Sequence, residues 1–222
     1  MTQTFRTRGE SGFEWMMPDA EKHFISMLKI DPEYQSLSKA MIIRNKTRID
    51  LSHVLDVGAN IGLWTRWFAR QGSELIDCFE PMDDNLECLR ANVNDLPMVR
   101  VHDIALSDQP GTLVLHTTHD NKNGGAASID PFGELRKQED HRQHTVGCDT
   151  LDSLGLAPTF IKIDIQGAEP LMLAGSERTI RTHMPGICVE CDYPDLDPIK
   201  LLESWGYEVI ERRKSDFLML PK

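Results

Sequence analysis

From His53 onward the chain alternates between short apolar runs and amphipathic helical stretches, and this alternation limits the fold to a few architectures. Strands joined by helices form parallel pairs that are covered on both faces. The pattern predicts an α/β fold with a doubly wound, mostly parallel sheet. The strand-like runs are HVLDVG (53–58), ELIDCFE (74–80), MVRVHDIAL (98–106), TFIKIDI (159–165) and GICVECD (186–192), and helices are predicted over 63–70, 83–94 and 169–183.

The end of the chain predicts one further helix and a hairpin. After Pro198 a helical stretch leads into YEVIERR (207–213) and DFLML (216–220), which a short turn joins. Strands joined in this way pair antiparallel. We therefore expect the last strand to be antiparallel and to lie at or near an edge of the sheet.

Two parts of the chain depart from the alternation. Residues 1–50 are predicted to flank the active site: 1–17 as a loose arm, then a helix from Pro18 and a second over about 33–44. Residues 51–222 are predicted to form the main domain, in which 110–149 are a long polar insert between two strand-like runs. Because this insert follows the carboxyl end of the third strand, we expect it to face the substrate. A solvated excursion is the alternative.

The acidic composition disfavours nucleic acid as a partner. The 222 residues include 24 Lys and Arg and 35 Asp and Glu, a formal net charge of −11, and no basic run offers a patch for phosphates. No apolar stretch approaches the ~20 residues that cross a bilayer, and the N-terminus lacks the apolar core of a secretory signal. Five cysteines, an odd number, are expected to be reduced thiols. We expect a cytoplasmic protein without a membrane partner, and the sequence leaves open a homo-oligomer.

The segment DVGANIG (56–62) is the strongest local signal, because it follows an apolar strand and precedes a helix. Gly58 and Gly62 allow a tight turn and a close backbone approach. Asn60 replaces the second glycine of the dinucleotide pattern G-x-G-x-x-G, which counts against NAD. The carboxylate of Asp56 suits a ligand with an ammonium group. A strand-to-helix turn that Asp56 and Asn60 merely cap is the alternative.

Two further carboxylates follow the next two strands. Glu80, with Pro81, ends the second strand 22 residues after Gly58, where a carboxylate can accept hydrogen bonds from both hydroxyls of a ribose. Asp103 and Ile104 end the third strand; the acid can bond an adenine amino group and the apolar residue can cover the ring. The alternatives are a solvated glutamate and a turn-forming aspartate.

The segment FIKIDIQGAE (160–169) brings charge into a buried strand. Alternation places Lys162 and Asp164 on the same side of the strand, and buried charges must be paired or must face a ligand. Asp164 lies where the strand opens into the cleft, and Gly167 permits a close approach. We expect Asp164 to hold the substrate or to act as a general base, with an internal Lys162–Asp164 ion pair as the alternative.

The succession DVGANIG, FEP, ALSD-x-x-G-T-L, a loop containing Gly and Ser, and IKIDIQGAE resembles the FkbM-type family of S-adenosylmethionine-dependent methyltransferases, over about residues 50–192. The resemblance implies a seven-stranded Rossmann-like sheet whose last strand is antiparallel. Family members are typically O-methyltransferases that act on sugars, polyketides and other small metabolites. The implied cofactor contacts are Asp56, Gly58, Ala59 and Asn60 for the methionine part, Glu80 for the ribose, and Asp103 and Ile104 for the adenine. Gly62 and Pro81 are further candidate cofactor-binding residues.

If the acceptor is a hydroxyl group, a residue must take its proton. Asp164 is the leading candidate, followed by His141 or His144 of the insert, and Glu169 of the KID-x-x-GAE motif is a further one. Asp164, Glu190 and Asp192 can supply oxygen ligands to a divalent ion, but an ordinary acidic rim has the same sequence, and no metal is expected.

We therefore expect an enzyme that uses S-adenosylmethionine to methylate a hydroxyl of a small molecule or saccharide. Two other classes stay open. One is an NAD-dependent oxidoreductase, because the same sheet binds NAD and Glu80 suits its ribose. The other is a non-catalytic module that keeps the fold and the cofactor, against which the intact KID-x-x-GAE segment counts.

Overall fold

A seven-stranded β-sheet with helices on both faces forms the centre of the molecule. The computed structural model describes residues 2–6, 13–18, 22–31, 34–118, 127–129, 137, 141–192 and 197–222. Its strands are β1 (Thr2–Arg6), β2 (Glu14–Pro18), β3 (His53–Val57), β4 (Leu75–Phe79), β5 (Val99–His102), β6 (Ala105–Leu106), β7 (Gly111–Thr118), β8 (His141–Asp149), β9 (Phe160–Ile163), β10 (Gly186–Glu190), β11 (Tyr207–Arg213) and β12 (Asp216–Pro221). Its helices are α1 (Lys22–Ile30), α2 (Ser36–Arg44), α3 (Leu63–Arg70), α4 (Asp83–Asn92), α5 (Leu151–Leu154), α6 (Glu169–Ala174), α7 (Glu177–His183) and α8 (Pro198–Ser204), with a 3₁₀ turn at Lys46–Arg48.

The strands of the central sheet follow the order β11-β12-β10-β9-β3-β4-β5. Neighbours from β10 to β5 pair parallel, whereas β12 runs antiparallel to both β10 and β11. This confirms the predicted Rossmann-like, mostly parallel seven-stranded sheet with an antiparallel C-terminal strand. From β3 the chain builds outward through β4 and β5, then returns to build on the other side through β9 and β10. The carboxyl ends of β3 and β9 therefore form the switch point at which open α/β sheets bind ligands.

Strand β3 shows why the sheet is buried on both faces. Val54 packs with Trp64 and Phe68 of α3, whereas Leu55 packs with Met172 of α6 in the opposite layer. Successive side chains of a strand point to opposite faces, so a strand covered on both sides must be apolar at nearly every position. Asp56 departs from this rule, because it is charged and yet fully buried.

Within the N-terminal arm, the described segments Thr2–Arg6 and Glu14–Pro18 form strands, so the prediction of a loose arm over 1–17 is wrong for these residues. Strands β1 and β2 form an antiparallel hairpin, and β2 lies against α4. The Asn92 side chain accepts from the Met16 backbone amide at 2.7 Å and donates to the Met16 carbonyl at 2.9 Å. Trp15 and Met17 are buried beside Ile61, in the turn before α3. These partners are distant in sequence, and such a short strand carries little periodicity of its own.

Two other predicted elements are divided in the structure. The run predicted as one strand over 98–106 bends at Asp103, so that β5 joins the central sheet and β6 joins a smaller one. The helix predicted over 169–183 breaks between α6 and α7 at Gly175. A Cβ on Gly175 would lie 1.9 Å from the backbone oxygen of Ser107. The glycine at the break therefore lets the backbone after β6 pack closely against the chain between α6 and α7.

The insert supplies β7 and β8, which form a three-stranded sheet with β6 in the order β6-β8-β7, and this confirms strands at both of its ends. Residues 119–126, 130–136 and 138–140 of its polar stretch lie outside the described residues. Ser128 lies back on β7 through a β-bridge to His116. Over the described part of the chain, no helix is long and apolar enough to cross a membrane.

Candidate active site

A cavity of about 500 Å³ opens at the carboxyl ends of β3, β4, β9 and β10. Its floor is formed by the turns that follow these strands. One wall comes from the insert, through Leu113, Leu115 and Ala127, and another from the start of α2, residues 34–38. The volume lies within the range of small-molecule and cofactor sites.

The backbone amides of the glycine turn after β3, residues 58–62, are hydrogen-bonded within the protein. Gly58 and Ala59 donate to the carbonyl of Phe79, each at 3.0 Å, and Gly62 donates to Ala59 at 2.9 Å. Asn60 has φ +51, and its amide donates to Glu80 Oε2 at 2.9 Å. The Ile61 amide donates to the Asn60 side chain at 2.8 Å. A diphosphate needs free amides at this position, and these five are already paired.

Glu80 follows β4 and is held at the edge of the cavity. Its carboxylate accepts from the backbone amides of Asn60 at 2.9 Å and Met82 at 3.0 Å, and Asn85 Nδ2 lies 3.4 Å away. Burial raises the pKa of this carboxyl, and the hydrogen bonds from Met82, Asn85 and Asn60 act in the opposite direction. Because two backbone amides fix its orientation, the carboxylate is pre-positioned to accept hydrogen bonds from a ligand diol.

The two residues predicted at an adenine lie in different surroundings. Ile104 lines the cavity together with Phe79, Met82 and Leu106, and these side chains form an apolar wall. Asp103 lies outside the cavity lining: its side chain is 66% exposed and pairs with Arg90 at 3.1 Å. Pro81 also lines the cavity.

Beneath the cavity, Lys162 is buried between two carboxylates. Its Nζ lies 3.2 Å from Asp164 Oδ2 and 3.9 Å from Asp56 Oδ1, and 5.9 Å from the centre of the Trp64 ring. Burial acts to lower the pKa of Lys162, but the charges of Asp164 and Asp56 raise it above its usual value. Burial raises the pKa of Asp56, whose other oxygen accepts from Thr65 at 2.6 Å. The ammonium group that Asp56 faces is thus that of Lys162, and Asp56 itself is not among the residues lining the cavity.

Asp164 and Glu190 face each other across the ends of β9 and β10. Gln166 Nε2 donates to both, to Asp164 Oδ1 at 2.9 Å and to Glu190 Oε2 at 3.1 Å. Burial acts to raise the pKa of Asp164, but the charge of Lys162 and these hydrogen bonds hold it below its usual value. Burial and the negative charge of Asp164 raise the pKa of Glu190. One group of the pair is thus a carboxylate and the other a carboxylic acid near neutral pH.

The other residues predicted as catalytic, Glu169, His144 and His141, are not among the described residues that line the cavity. Glu169 is buried under the turn after β9, where it accepts from the amides of Ile165 at 3.3 Å and Gly167 at 3.0 Å. His144 bonds Thr117 on the neighbouring strand at 3.0 Å, and His141 bonds His116 at 2.8 Å. Asp192 does line the cavity, but among the described residues no group of three or more potential ligands is arranged to hold a metal ion.

Some cavity residues were not singled out from the sequence. Gln166 has φ +51, and its position before Gly167 in the KID-x-x-GAE segment was the available signal. Asn85 and Trp64 lie on helices, where one more polar or aromatic residue attracts no notice. Gln35 accepts from Trp64 Nε1 at 2.5 Å, and this contact joins the N-terminal region to the main domain.

Comparisons with known proteins point to one family of methyltransferases. The model of the methyltransferase FkbM domain matches residues 56–209, more than half of the chain. A curated relative, the 2-O-methyltransferase NoeI of Sinorhizobium fredii (strain NBRC 101917 / NGR234), is 30% identical over 144 residues, which are 57% of this chain and 58% of the relative. The match therefore spans less than two thirds of that protein.

Solved structures share the fold. The methyltransferase FkbM from Methylobacillus flagellatus KT has a TM-score of 0.54 at 22% identity, covering 76% of this chain and 43% of that one. The putative methyltransferase yhhF from Escherichia coli has a TM-score of 0.53 at 9% identity, covering 99% of each chain. These identities speak for the fold alone. The family model, by contrast, includes the glycine turn, Glu80 and the KIDIQGAE segment, and the chain belongs to the FkbM methyltransferase family.

Proposed function

We propose that this chain transfers a methyl group from S-adenosylmethionine to a hydroxyl oxygen of a small molecule or saccharide. The observation that carries the proposal is that Glu80 and Asp164 open onto one cavity, on either side of the glycine turn. A carboxylate that suits a ribose and a carboxylate that suits a reacting hydroxyl are thereby brought to one site.

The residues around the cavity fit this cofactor. Glu80 would accept from its ribose hydroxyls, and the apolar wall of Phe79, Met82 and Ile104 would cover its adenine. The methionine part would lie along the backbone of Gly58 and Ala59 rather than against Asp56, because Asp56 is paired with Lys162. S-adenosylmethionine carries no phosphate and has a positive sulfur, so paired amides and nearby carboxyl groups both favour it over NAD.

When bound, S-adenosylmethionine supplies a methyl group on a positively charged sulfur, open to in-line attack by an oxygen. Transfer of that methyl group to a hydroxyl oxygen would require the hydroxyl to give up its proton. Asp164, ionised near neutral pH, would accept the hydrogen bond of that hydroxyl and orient an oxygen lone pair, and it would take the proton as bonding to the methyl carbon makes the hydroxyl strongly acidic. Lys162 keeps Asp164 ionised and in place.

We further propose that residues 1–50 and the insert 110–149 shape the acceptor end of the cavity. Residues 34–38 at the start of α2 line it on one side, and Leu113, Leu115 and Ala127 line it on the other. Because these segments lie outside the sheet, they can differ in shape while the floor stays the same.

The first test is calorimetric titration of the purified protein with S-adenosylhomocysteine and, in parallel, with NAD. We expect micromolar affinity for the first, about −8 kcal/mol, and no measurable heat with the second. A panel of sugars and small alcohols with labelled S-adenosylmethionine then tests for methyl transfer. Binding of NAD alone would contradict the proposal, and binding of S-adenosylhomocysteine without transfer to any hydroxyl would favour a non-catalytic module.

A further inference from the structure

We infer that Gln166 selects a methyl acceptor that carries two neighbouring hydroxyl groups, one of which reacts while the other bonds the Gln166 amide oxygen. The inference rests on the proposed function and names the class of acceptor. It is carried by three observations: the backbone conformation of Gln166, the clamp that holds it, and the hydrogen bonds of its side chain.

The backbone of Gln166 is in a conformation that residues other than glycine rarely adopt. Its φ is +51, in the left-handed region. Such residues persist where the surroundings impose them, and they concentrate at functional sites. In this protein a residue with a long amide side chain, and not a glycine, occupies the left-handed position in the turn between β9 and α6.

The surroundings clamp this turn from two sides. On the inner side, the buried Glu169 carboxylate accepts from the backbone amides of Ile165 at 3.3 Å and Gly167 at 3.0 Å, the residues that flank Gln166. On the outer side, Ser128 of the insert donates its hydroxyl to the Gln166 carbonyl at 2.5 Å. The position of the Gln166 side chain is thus set by both the central domain and the insert.

The side chain uses one end of its amide within the protein. Both hydrogens of Nε2 are committed, one to Asp164 and one to Glu190. The amide oxygen accepts no hydrogen bond from the described residues, and it is not among the side-chain atoms that are buried without a partner. Because Gln166 lines the cavity, its oxygen is left to accept from a bound molecule.

The Gln166 amide oxygen and the Asp164 carboxylate therefore belong to residues that both line the cavity where the methyl acceptor is expected. The amide nitrogen next to the free oxygen is itself 2.9 Å from Asp164 Oδ1, so the carboxylate and the amide oxygen can be reached by adjacent groups of one molecule. In the proposed transfer, the reacting hydroxyl gives its proton to Asp164, and the neighbouring hydroxyl donates to Gln166. A molecule with one hydroxyl would leave the amide oxygen unpaired on binding, which a site of this kind rejects strongly.

The test compares cis-1,2-cyclohexanediol with cyclohexanol as probes of the protein saturated with S-adenosylhomocysteine. Saturation-transfer NMR detects weak binding of both without requiring turnover. The variants are Gln166→Met, which keeps the length but removes both hydrogen-bonding groups, and Gln166→Gly, which also suits the positive φ and protects against a failure to fold. Gln143→Met, at an exposed position of β8, is the control for the same substitution.

In the wild type and in Gln143→Met we expect the diol signal to exceed the cyclohexanol signal at least about fivefold. In both Gln166 variants we expect the two signals to become equal, with the affinity for S-adenosylhomocysteine unchanged. Equal or absent signals in the wild type, or a preference that survives in Gln166→Gly, would overturn the inference while leaving the proposed function intact. Failure of the wild type to bind S-adenosylhomocysteine would instead contradict the proposed function.

Discussion

Gly58 and Asp164 are packed backbone to backbone: a Cβ on Gly58 would lie 1.9 Å from the backbone oxygen of Asp164. The amide of Asp164 in turn donates to the carbonyl of Val57 at 3.1 Å. The turn after β3, which carries the proposed cofactor contacts, is thereby held against the turn after β9, which carries the proposed acceptor contacts. This contact between two backbones brings both halves of the cavity together.

Substitution of Gly58 by alanine should therefore destabilise the fold. The new methyl group meets a backbone oxygen that cannot rotate away, and the residue has φ +80. We expect the free energy of unfolding in urea to fall by about 3 kcal/mol or more, from overpacking and left-handed strain together. Gly72→Ala is the matched control, because Gly72 has φ +92 with nothing within 4 Å of the added Cβ, and it should lose only about 1–2 kcal/mol. Equal losses would show that the close approach tolerates a side chain.

Glu80→Gln should weaken the binding of S-adenosylhomocysteine. In the wild type, the backbone amides of Asn60 and Met82 donate to the Glu80 carboxylate. The substitution removes the negative charge and places an amide nitrogen, which cannot accept a hydrogen bond, against one of these two donors. We expect a loss of about 1–3 kcal/mol of binding free energy, measured by calorimetry. Glu87→Gln, on the exposed face of α4, should bind like the wild type. Unchanged affinity in Glu80→Gln would remove this residue from the site.

Asp103→Asn tests whether the predicted adenine contact exists. Its side chain is 66% exposed and pairs with Arg90 on the surface, and such exposed pairs contribute little. We expect the dissociation constant for S-adenosylhomocysteine to change by less than about twofold. A loss of about tenfold, equivalent to about 1.4 kcal/mol, would instead support the adenine contact predicted from the sequence.

Local signals in the sequence were sufficient to predict the strands of the central sheet and several of the residues that line the cavity. Each apolar run predicts one strand, and the glycine turn and Glu80 each mark the residue at which a strand ends. Parallel strands place their carboxyl ends at one edge of the sheet, so these separate signals together predict one site. Asp103 shows the limit of this reasoning: β5 ends at His102, and one residue beyond a strand end the side chain can point either into the cleft or to solvent.

Features that depend on distant contacts could not be predicted in this way. The β1–β2 hairpin is held by Asn92, 76 residues from Met16, and nothing near β2 records this partner. The conformation of Gln166 depends on Ser128 of the insert, 38 residues away. The sequence motif marks the turn, but the residues that clamp it lie elsewhere along the chain.

Asp164→Asn should abolish most methyl transfer to any acceptor that the panel identifies. The amide cannot take a proton, and removal of a general base typically lowers the rate about 10²- to 10⁴-fold. We expect the affinity for S-adenosylhomocysteine to stay within about threefold, since Glu80 is unaffected. His144→Ala is the control among the other predicted bases, because His144 bonds Thr117 away from the cavity. A histidine variant that lost activity while Asp164→Asn kept it would reverse the assignment.

Glu190→Gln should change how the stability of the protein depends on pH. Burial, together with the charges of Asp164, Asp192 and Asp216, raises the pKa of Glu190 above its usual value. The folded state therefore keeps a proton that the unfolded state loses above about pH 4.5, so this group makes the folded state less stable as the pH rises from there toward its folded pKa. A glutamine resembles the neutral acid and does not titrate.

Between pH 6 and 9 we expect the free energy of unfolding of the variant to fall less steeply than that of the wild type, by up to about 1.4 kcal/mol per pH unit. Urea unfolding at a series of pH values measures these slopes, with the exposed Glu203→Gln as control. Parallel slopes for wild type and Glu190→Gln would mean that Glu190 is ionised in the folded protein.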